Sequence, residues 1–389
     1  MANRFLFKPA QKINSTLALI VVAVLSVALF SACSGAKRRL AADLPSVTNT
    51  VNLKPVWTLS IGKSEPYAFK PLAVGDDIYT ANAAGKIYRI DAFNGRQTWA
   101  VDVGSDLSAG PGSDGRVIAV ANTKGMVFAY DANGGKLWQE SVGTEVLTEP
   151  LVGGGVVVVR TIDNRFIGLD ATTGKRRWVY QRGQSPLSLR TSYSMLNINN
   201  EVLMAGFSGG KFGILALATG NLIWESTLSS PRGVSEIERL SDIAAKPTLL
   251  GSRMCAVAYQ GKIGCGEIKS ASMSWVKDFS SFNGTTQTAD HVFAVNEKSY
   301  VVGFKASTGE EIWRNEKLVW RDLSEPLAVG KVIVVGDAQG YLHILSQESG
   351  EFLGRIRVDS SPIVTAPISV GGSIVVQTRS GTLSAFRPN

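Results

Sequence analysis

The stretch VVVVRTIDNRFIGLDATTGKRRW, residues 156–178, decides how the rest of the chain is read. It opens with an unbroken apolar strand, turns at Asp163-Asn164 and continues as a second strand with period-two alternation. A turn containing Gly174 then leads into a short strand that carries Trp178. The pattern recurs along the chain. Gly is followed four residues later by Trp at Gly95/Trp99, Gly134/Trp138, Gly174/Trp178, Gly220/Trp224 and Gly309/Trp313, with a weakened copy at Ala271/Trp275 and a degenerate one at Gly350/Gly354. With Trp57 as the first anchor, the intervals are 42, 39, 40, 46, 51, 38 and 41 residues. A period near 40 that holds about four strands indicates the blade of a β-propeller rather than a helical repeat.

Composition agrees. A chain of 389 residues would ordinarily suggest two or three domains at ~150 residues each, but one repeat array spans nearly all of it. Forty Gly and strands rich in Val and Ile suit many short strands joined by tight turns. The formal charge is +8, of which Arg4, Lys8 and Lys12 in an expected leader contribute three. No basic stripe with interleaved aromatics is present, which argues against a nucleic-acid partner.

Residues 1–32 combine a basic start, a 14-residue apolar run over 17–30 and the small pair Ser31-Ala32. The run is shorter than the ~20 residues of a membrane span and reads as a secretory signal. Residues 33–52, with Lys37, Arg38 and Arg39 and little apolar periodicity, are expected to form a flexible tether, and residues 53–389 the propeller. Its count can be closed from the two ends. The last copy ends before any Trp-bearing strand, whereas the strand with Trp57 has no preceding strands of its own. Pairing them completes an eighth blade and removes two open sheet edges. The fold expected is therefore all-β, an eight-bladed propeller closed by strand exchange between the termini.

The repeated Trp has a sufficient structural role as a wedge between blades, each burying ~150–250 Å², and the Gly before it permits a turn with φ > 0. Trp320, in Leu318-Val319-Trp320-Arg321, falls outside the register. His291 and His343 are the only histidines, too few for a histidine-rich metal site. Asp163, Asp290 and Asp337 lie in or near strand turns, where solvated acids are usual. Cys255 and Cys265 flank a hairpin near Gln260-Gly261. A two-residue loop would put Cys265 opposite Ala256 and the two thiols on opposite faces, favouring two buried free thiols, while a different loop length could bring them diagonal.

Function is best sought where the repeat is broken. From each anchor to the next central strand the separations are 21, 18, 18, 24, 30, 17 and 19 residues, so that the intervals Trp178 to Val202 and Trp224 to Met254 stand out. Equivalent insertions on consecutive blades emerge on one face and form one raised surface. The first contains Ser185-Pro186-Leu187-Ser188-Leu189-Arg190 and the second Ser235-Glu236-Ile237-Glu238-Arg239-Leu240-Ser241-Asp242. Leucines flanked by Arg190, Glu238 and Arg239 suit an interface with an apolar centre and a charged rim.

The copies Ala-Thr-Thr-Gly-Lys and Asp-Ala-Asn-Gly-Gly-Lys-Leu-Trp resemble pyrroloquinoline-quinone-type propeller repeats, and the whole chain resembles the BamB family of outer-membrane protein assembly lipoproteins. The more specific matches are Leu187-Ser188-Leu189-Arg190, the segment ending in Asp242, Gly336-Asp337-Ala338-Gln339-Gly340-Tyr341-Leu342-His343, and Val358-Asp359-Ser360-Ser361. Leu29-Phe30-Ser31-Ala32-Cys33 resembles a bacterial lipobox, which implies lipid on Cys33; Phe30 departs from the usual Leu, and a signal cleaved nearby with an incidental Cys is the alternative. Ser34 after it implies the outer membrane, with the propeller in the periplasm. The resemblance further implies docking on the periplasmic POTRA domains of a BamA-like barrel protein, through Leu187, Leu189, Arg190 and Asp242, beside other members of the assembly complex and unfolded outer-membrane clients. Ala244 stands where the family often has a second Asp. No cofactor and no catalysis are expected. The competing class is a quinone-dependent dehydrogenase on the same repeat, which would imply a calcium site and commonly adjacent cysteines; no Cys-Cys pair is present.

Overall fold

Each copy of the repeat folds into a four-stranded antiparallel sheet. The computed structural model describes residues 39–388 apart from 184–188, 192, 236–237 and 271, and it contains eight such sheets, the blades of a β-propeller. We number them 1 to 8 by their second strands: Asp77–Ala81, Val117–Ala121, Val156–Arg160, Val202–Gly206, Arg253–Val257, His291–Val295, Val332–Gly336 and Ser373–Gln377. Val156–Arg160 is buried throughout because both faces of the strand are covered. Val157 and Val159 pack against blade 2, and Val156 and Val158 against blade 4, as the alternation of side chains along a strand requires. Among the described residues the apolar core divides into eight clusters, each shared by two neighbouring blades.

The ring closes as expected. β1 (Leu53–Ser60) is the outer strand of blade 8 and pairs antiparallel with β32 (Thr382–Pro388), with Leu59 opposite Leu383 and Trp57 opposite Ala385. Upstream of β1, part of the stretch expected to be a free tether is held against blade 7. The Ala42 N–H donates to Val319 O (2.9 Å), Arg321 Nη1 to Ala42 O (2.8 Å) and Arg355 Nη1 to Pro45 O (2.9 Å). Thr50 and Val51 both donate their N–H to Leu353 O, at 2.8 and 2.9 Å. The degenerate anchor at Gly354 follows from this course, since the Val51 carbonyl lies where a side chain at position 354 would project.

Trp57, Trp99, Trp138, Trp178, Trp275 and Trp313 each reach into the following blade and donate Nε1–H to a carbonyl there, at 2.8–3.0 Å. The Gly of the next copy is the seat of that indole. At Gly174 (φ +74°) an added Cβ would stand 2.7 Å from Trp138 Cδ2, and at Gly95 (φ +71°) 2.7 Å from Trp57 Cδ2. The motif glycine therefore answers two demands, the turn and the close approach of a ring from the blade before it. Trp224 departs from the pattern: its indole packs edge-on against Phe212 at 5.6 Å, and the corresponding seat, Ala271, lies outside the described residues.

The expectation of two free thiols is corrected. β19 (Arg253–Val257) and β20 (Lys262–Glu267) pair with Val257 opposite Ile263, and the Ala258 N–H donates to Lys262 O, so the tip of the hairpin holds three residues, 259–261, instead of two. The register then sets Cys255 directly opposite Cys265, and the two form a disulfide with a Cα–Cα distance of 4.1 Å. A one-residue difference in register moves a side chain to the other face of its sheet, which is the whole difference between the two readings.

Candidate partner-docking face

Strand direction alternates within a blade, so the hairpins between second and third strands and the connections from outer strand to next blade leave the ring on the same face. The two longest connections lie there side by side: residues 182–194 join β13 (Arg176–Gln181) to β14 (Met195–Ile198), and residues 228–247 join β17 (Leu222–Thr227) to β18 (Thr248–Leu250). The first is fixed at its base. Arg182 forks onto the Glu225 carboxylate, Lys211 Nζ reaches the same group at 3.0 Å, and the Arg182 guanidinium lies 4.7 Å from the centre of the Phe207 ring. Burial would raise the Glu225 carboxyl, but hydrogen bonds from Arg182 and Lys211 hold it below the usual carboxylate range.

The two insertions meet at Asp242. Its Oδ2 accepts from the Leu189 N–H at 2.8 Å and from the Tyr193 hydroxyl at 2.6 Å, and its Oδ1 from the Gly209 N–H at 3.3 Å. Its own carbonyl accepts from the Tyr259 N–H at 2.8 Å. One residue thus joins the first insertion and a hairpin of blade 4 through its carboxylate and a hairpin of blade 5 through its carbonyl. Beside it the outward groups are charged and apolar. The Arg190 side chain is 66% exposed and pairs with Glu145 at 2.6 Å; Val234 is 98% exposed. Glu238 accepts from the Val234 and Ser235 N–H groups at 2.9 and 3.2 Å, and those backbone donors lower its pKa. Arg239 is exposed in the same turn.

A family model described as "Outer membrane protein assembly factor BamB" matches residues 83–315 and 297–388. The chain belongs to the BamB family. It is similar to the BamB of Burkholderia pseudomallei, with 41% identity over 95% of this chain and 97% of that one, and to that of Bordetella pertussis, with 36% identity over 90% of each. Among solved structures, BamB from Moraxella catarrhalis superposes with a TM-score of 0.79 at 25% identity, covering 86% of this chain and all of that one. A quinohemoprotein alcohol dehydrogenase from Comamonas testosteroni, at 12% identity and a TM-score of 0.67 over 86% of this chain and 76% of its own, shares the fold.

On this BamB-family propeller the expected docking residues fall into three groups. Leu189, half-buried, and Arg190, Glu238 and Arg239, exposed, lie on the insertion face. Asp242, expected to offer its charge to a partner, is 1% exposed with both oxygens engaged within the chain, so its role is corrected from contact to support. Leu187 and Cys33 lie outside the described residues. The sequence reading passed over Glu145, which holds Arg190 from the neighbouring connection, and Arg160 and Tyr193, which lie beneath the face. Arg160 carried a signal, for the other blades place Ala81, Ala121, Gly206, Val257, Val295, Gly336 and Gln377 at its position in the register.

Asp337 is also corrected. Expected to be a solvated turn acid, it is fully buried and bonded to Arg321 Nε (2.8 Å), Arg321 Nη2 (2.7 Å) and His343 Nε2 (2.9 Å). Arg321 in turn holds Ala42 O, so the cluster latches the N-terminal segment to blade 7. At the ring axis a cavity of about 580 Å³ is lined by the starts of the inner strands. Blades 1, 3, 5 and 7 bring Lys70, Glu149, Lys246 and Glu325 there, each followed by Pro, so the charges alternate around the axis. Lys70 and Glu325 pair at 3.4 Å. Burial and the Lys70 charge lower the Lys246 amine, against Glu149 and Glu325.

Proposed function

We propose that this BamB-family member is a non-enzymatic scaffold of the outer-membrane assembly machinery, held at the membrane by lipid on Cys33, whose insertion face docks on the periplasmic POTRA domains of a BamA-like barrel protein. The observation that carries the reading is the joint at Asp242. Two insertions absent from the other blades are knitted into one surface, and Leu189 and Arg190 lie on it. Arg is among the residue types on which binding energy concentrates, and here Arg190 is exposed and paired with Glu145, with half-buried Leu189 adding apolar surface beside it.

The dehydrogenase reading finds less support. A quinone with a calcium ion would need free carboxylates at the axis, and the acids there, Glu149 and Glu325, face Lys70 and Lys246. Among the described residues no three His, Cys, Asp or Glu side chains are grouped to hold a metal ion.

Titrating the protein with the periplasmic domains of a BamA-like barrel protein tests the docking. Leu189→Ala combined with Arg190→Ala is expected to weaken binding ~10- to 100-fold, at ~1–3 kcal/mol for a central contact, with an unchanged melting midpoint. Binding as tight as that of the parent would assign the partner to another face.

A further inference from the structure

Arg160 has no place in the repeat, and its surroundings give it a task. It ends the second strand of blade 3 at a register position that six other blades fill with Ala, Gly or Val. The side chain is 2% exposed. Nη1 donates to Gly206 O of blade 4 at 2.6 Å and Nη2 to Asn164 Oδ1 at 3.3 Å. Its guanidinium lies 4.4 Å from the centre of the Tyr193 ring, 4.8 Å from that of Phe166 and 5.8 Å from that of Phe207. Burial pushes it down only to about 10, so it stays charged at neutral pH. A charge so placed is attracted to the ring faces around it, and of these rings only Tyr193 belongs to an insertion.

Tyr193 is held at both ends. Its backbone N–H donates to Thr148 Oγ1 at 3.0 Å, and its hydroxyl donates to Asp242 Oδ2, the same oxygen that receives the Leu189 N–H. Burial and the Asp242 charge keep that hydroxyl protonated. The chain of contacts therefore runs from the blade core, through Arg160 and the Tyr193 ring, to Asp242 and on to the backbone of the docking loop.

We infer that Arg160 and Tyr193 are positioning residues, a buried brace that holds the Leu189-Arg190 segment in its docking-competent course without touching the partner. The inference rests on the docking reading above and adds to it the reason why a buried Asp242 serves an exposed surface. Ordering the loop before binding removes an entropic cost from association, so loss of the brace lowers affinity while the ring remains intact.

Tyr193→Phe tests this, since it keeps the ring over Arg160 and removes only the hydroxyl. Three readouts on the protein are compared: the melting midpoint, hydrogen exchange at the Leu189 amide, and affinity for the periplasmic domains of a BamA-like barrel protein. We expect an unchanged midpoint, faster exchange at Leu189 and binding weaker by ~5- to 10-fold, the loss of about one hydrogen bond. Asp242→Ala should exceed that loss, and Asp242→Asn, which retains an acceptor oxygen, should recover part of it. Unchanged protection at Leu189 in Tyr193→Phe would overturn the brace. Lost protection with parental affinity would leave Tyr193 a structural residue and overturn its docking role. A parent protein that fails to bind at all would instead overturn the docking reading, and exchange at Leu189 alone would then decide whether the brace orders the loop.

Discussion

Replacing Gly174 by Ala separates the two demands placed on the motif glycine. The first is its backbone, at φ +74°, where a residue with a side chain costs ~1–2 kcal/mol. The second is the Trp138 indole, whose Cδ2 and Cε3 would lie 2.7 and 2.8 Å from the new Cβ. That ring is 8% exposed and donates to Ala171 O at 2.9 Å. Its burial is worth up to ~4–6 kcal/mol at ~150–250 Å² and ~25 cal/mol/Å². Shifting the ring enough to forfeit half of this and the hydrogen bond, itself ~1 kcal/mol, adds ~3–4 kcal/mol. Gly251, with φ +61° and open space around its Cβ position, supplies the control that carries the backbone cost alone. Denaturant titrations followed by Trp emission should therefore place Gly174→Ala ~4–6 kcal/mol below the parent and Gly251→Ala ~1–2 kcal/mol below it. In a Trp138→Ala background the Gly174→Ala penalty should fall to the control value, because the clash has lost its partner. Equal penalties for the two glycines in the parent background would refute the seat and leave only the turn.

Two further outcomes follow from the interior. Opening the Cys255–Cys265 bridge by Cys255→Ser with Cys265→Ser should cost ~2–3 kcal/mol for a closed loop of this size, and a denatured, unreduced chain lacking Cys33 should show no titratable thiol; two thiols per chain would restore the free-cysteine reading. The His343–Asp337 pair sets a pH dependence. Burial, with the Arg321 and Arg355 charges, lowers the His343 pKa, against the pull of Asp337; His343 and Arg321 hold Asp337 below its ordinary value despite its burial. Both groups bind protons more readily in the unfolded chain, so their contribution is full above about pH 6.5 and is lost as pH falls, first through His343 and below about pH 4 through Asp337. Urea midpoints should decline less steeply between about pH 6.5 and 5 in His343→Gln than in the parent; parallel slopes would exclude the histidine as their source.

Blade number and ring closure were legible because both rest on features that repeat. The Trp anchors recur at a period near 40, stretched only at the two insertions, and the mismatch of the two ends has one solution, which Trp57 opposite Ala385 realises. The disulfide was not legible, since it depends on whether the turn holds two or three residues, and Tyr259-Gln260-Gly261 is compatible with either. The course of residues 42–51 was hidden for another reason. It is fixed by hydrogen bonds to and from backbone groups at Ala42, Pro45, Thr50 and Val51, with Arg321 and Arg355 as donors, and backbone groups leave no mark on composition. Asp337 reads as a turn acid because its turn is real, with Oδ1 accepting from the Gln339 and Tyr341 N–H groups; only the approach of Arg321, sixteen residues away, makes it a buried ion pair.

A repeat protein carries its own comparison set, and the positions that break the repeat can be read as departures from a known default. The second strand of a blade ends on Ala, Gly or Val in six cases, which is what a crowded interface with the next blade demands. The two exceptions are Arg160 and Gln377. Gln377 donates to Ser64 Oγ at 2.9 Å and to Ala81 O at 3.2 Å, and it accepts from Thr80. It lies at the seam where blade 8 meets blade 1 and the two ends of the chain are joined. Placing a polar side chain in such an interface is costly unless each of its groups is paired, so it persists where the pairing does something an apolar residue cannot. At Gln377 that is to tie the seam to blade 1 through directional bonds. At Arg160 it is to reach past its own blade to Tyr193 and the loop above. By the same logic the loss of Trp at Gly354 marks the outer strand whose neighbour is the N-terminal segment, and the two long connections mark the face proposed for docking.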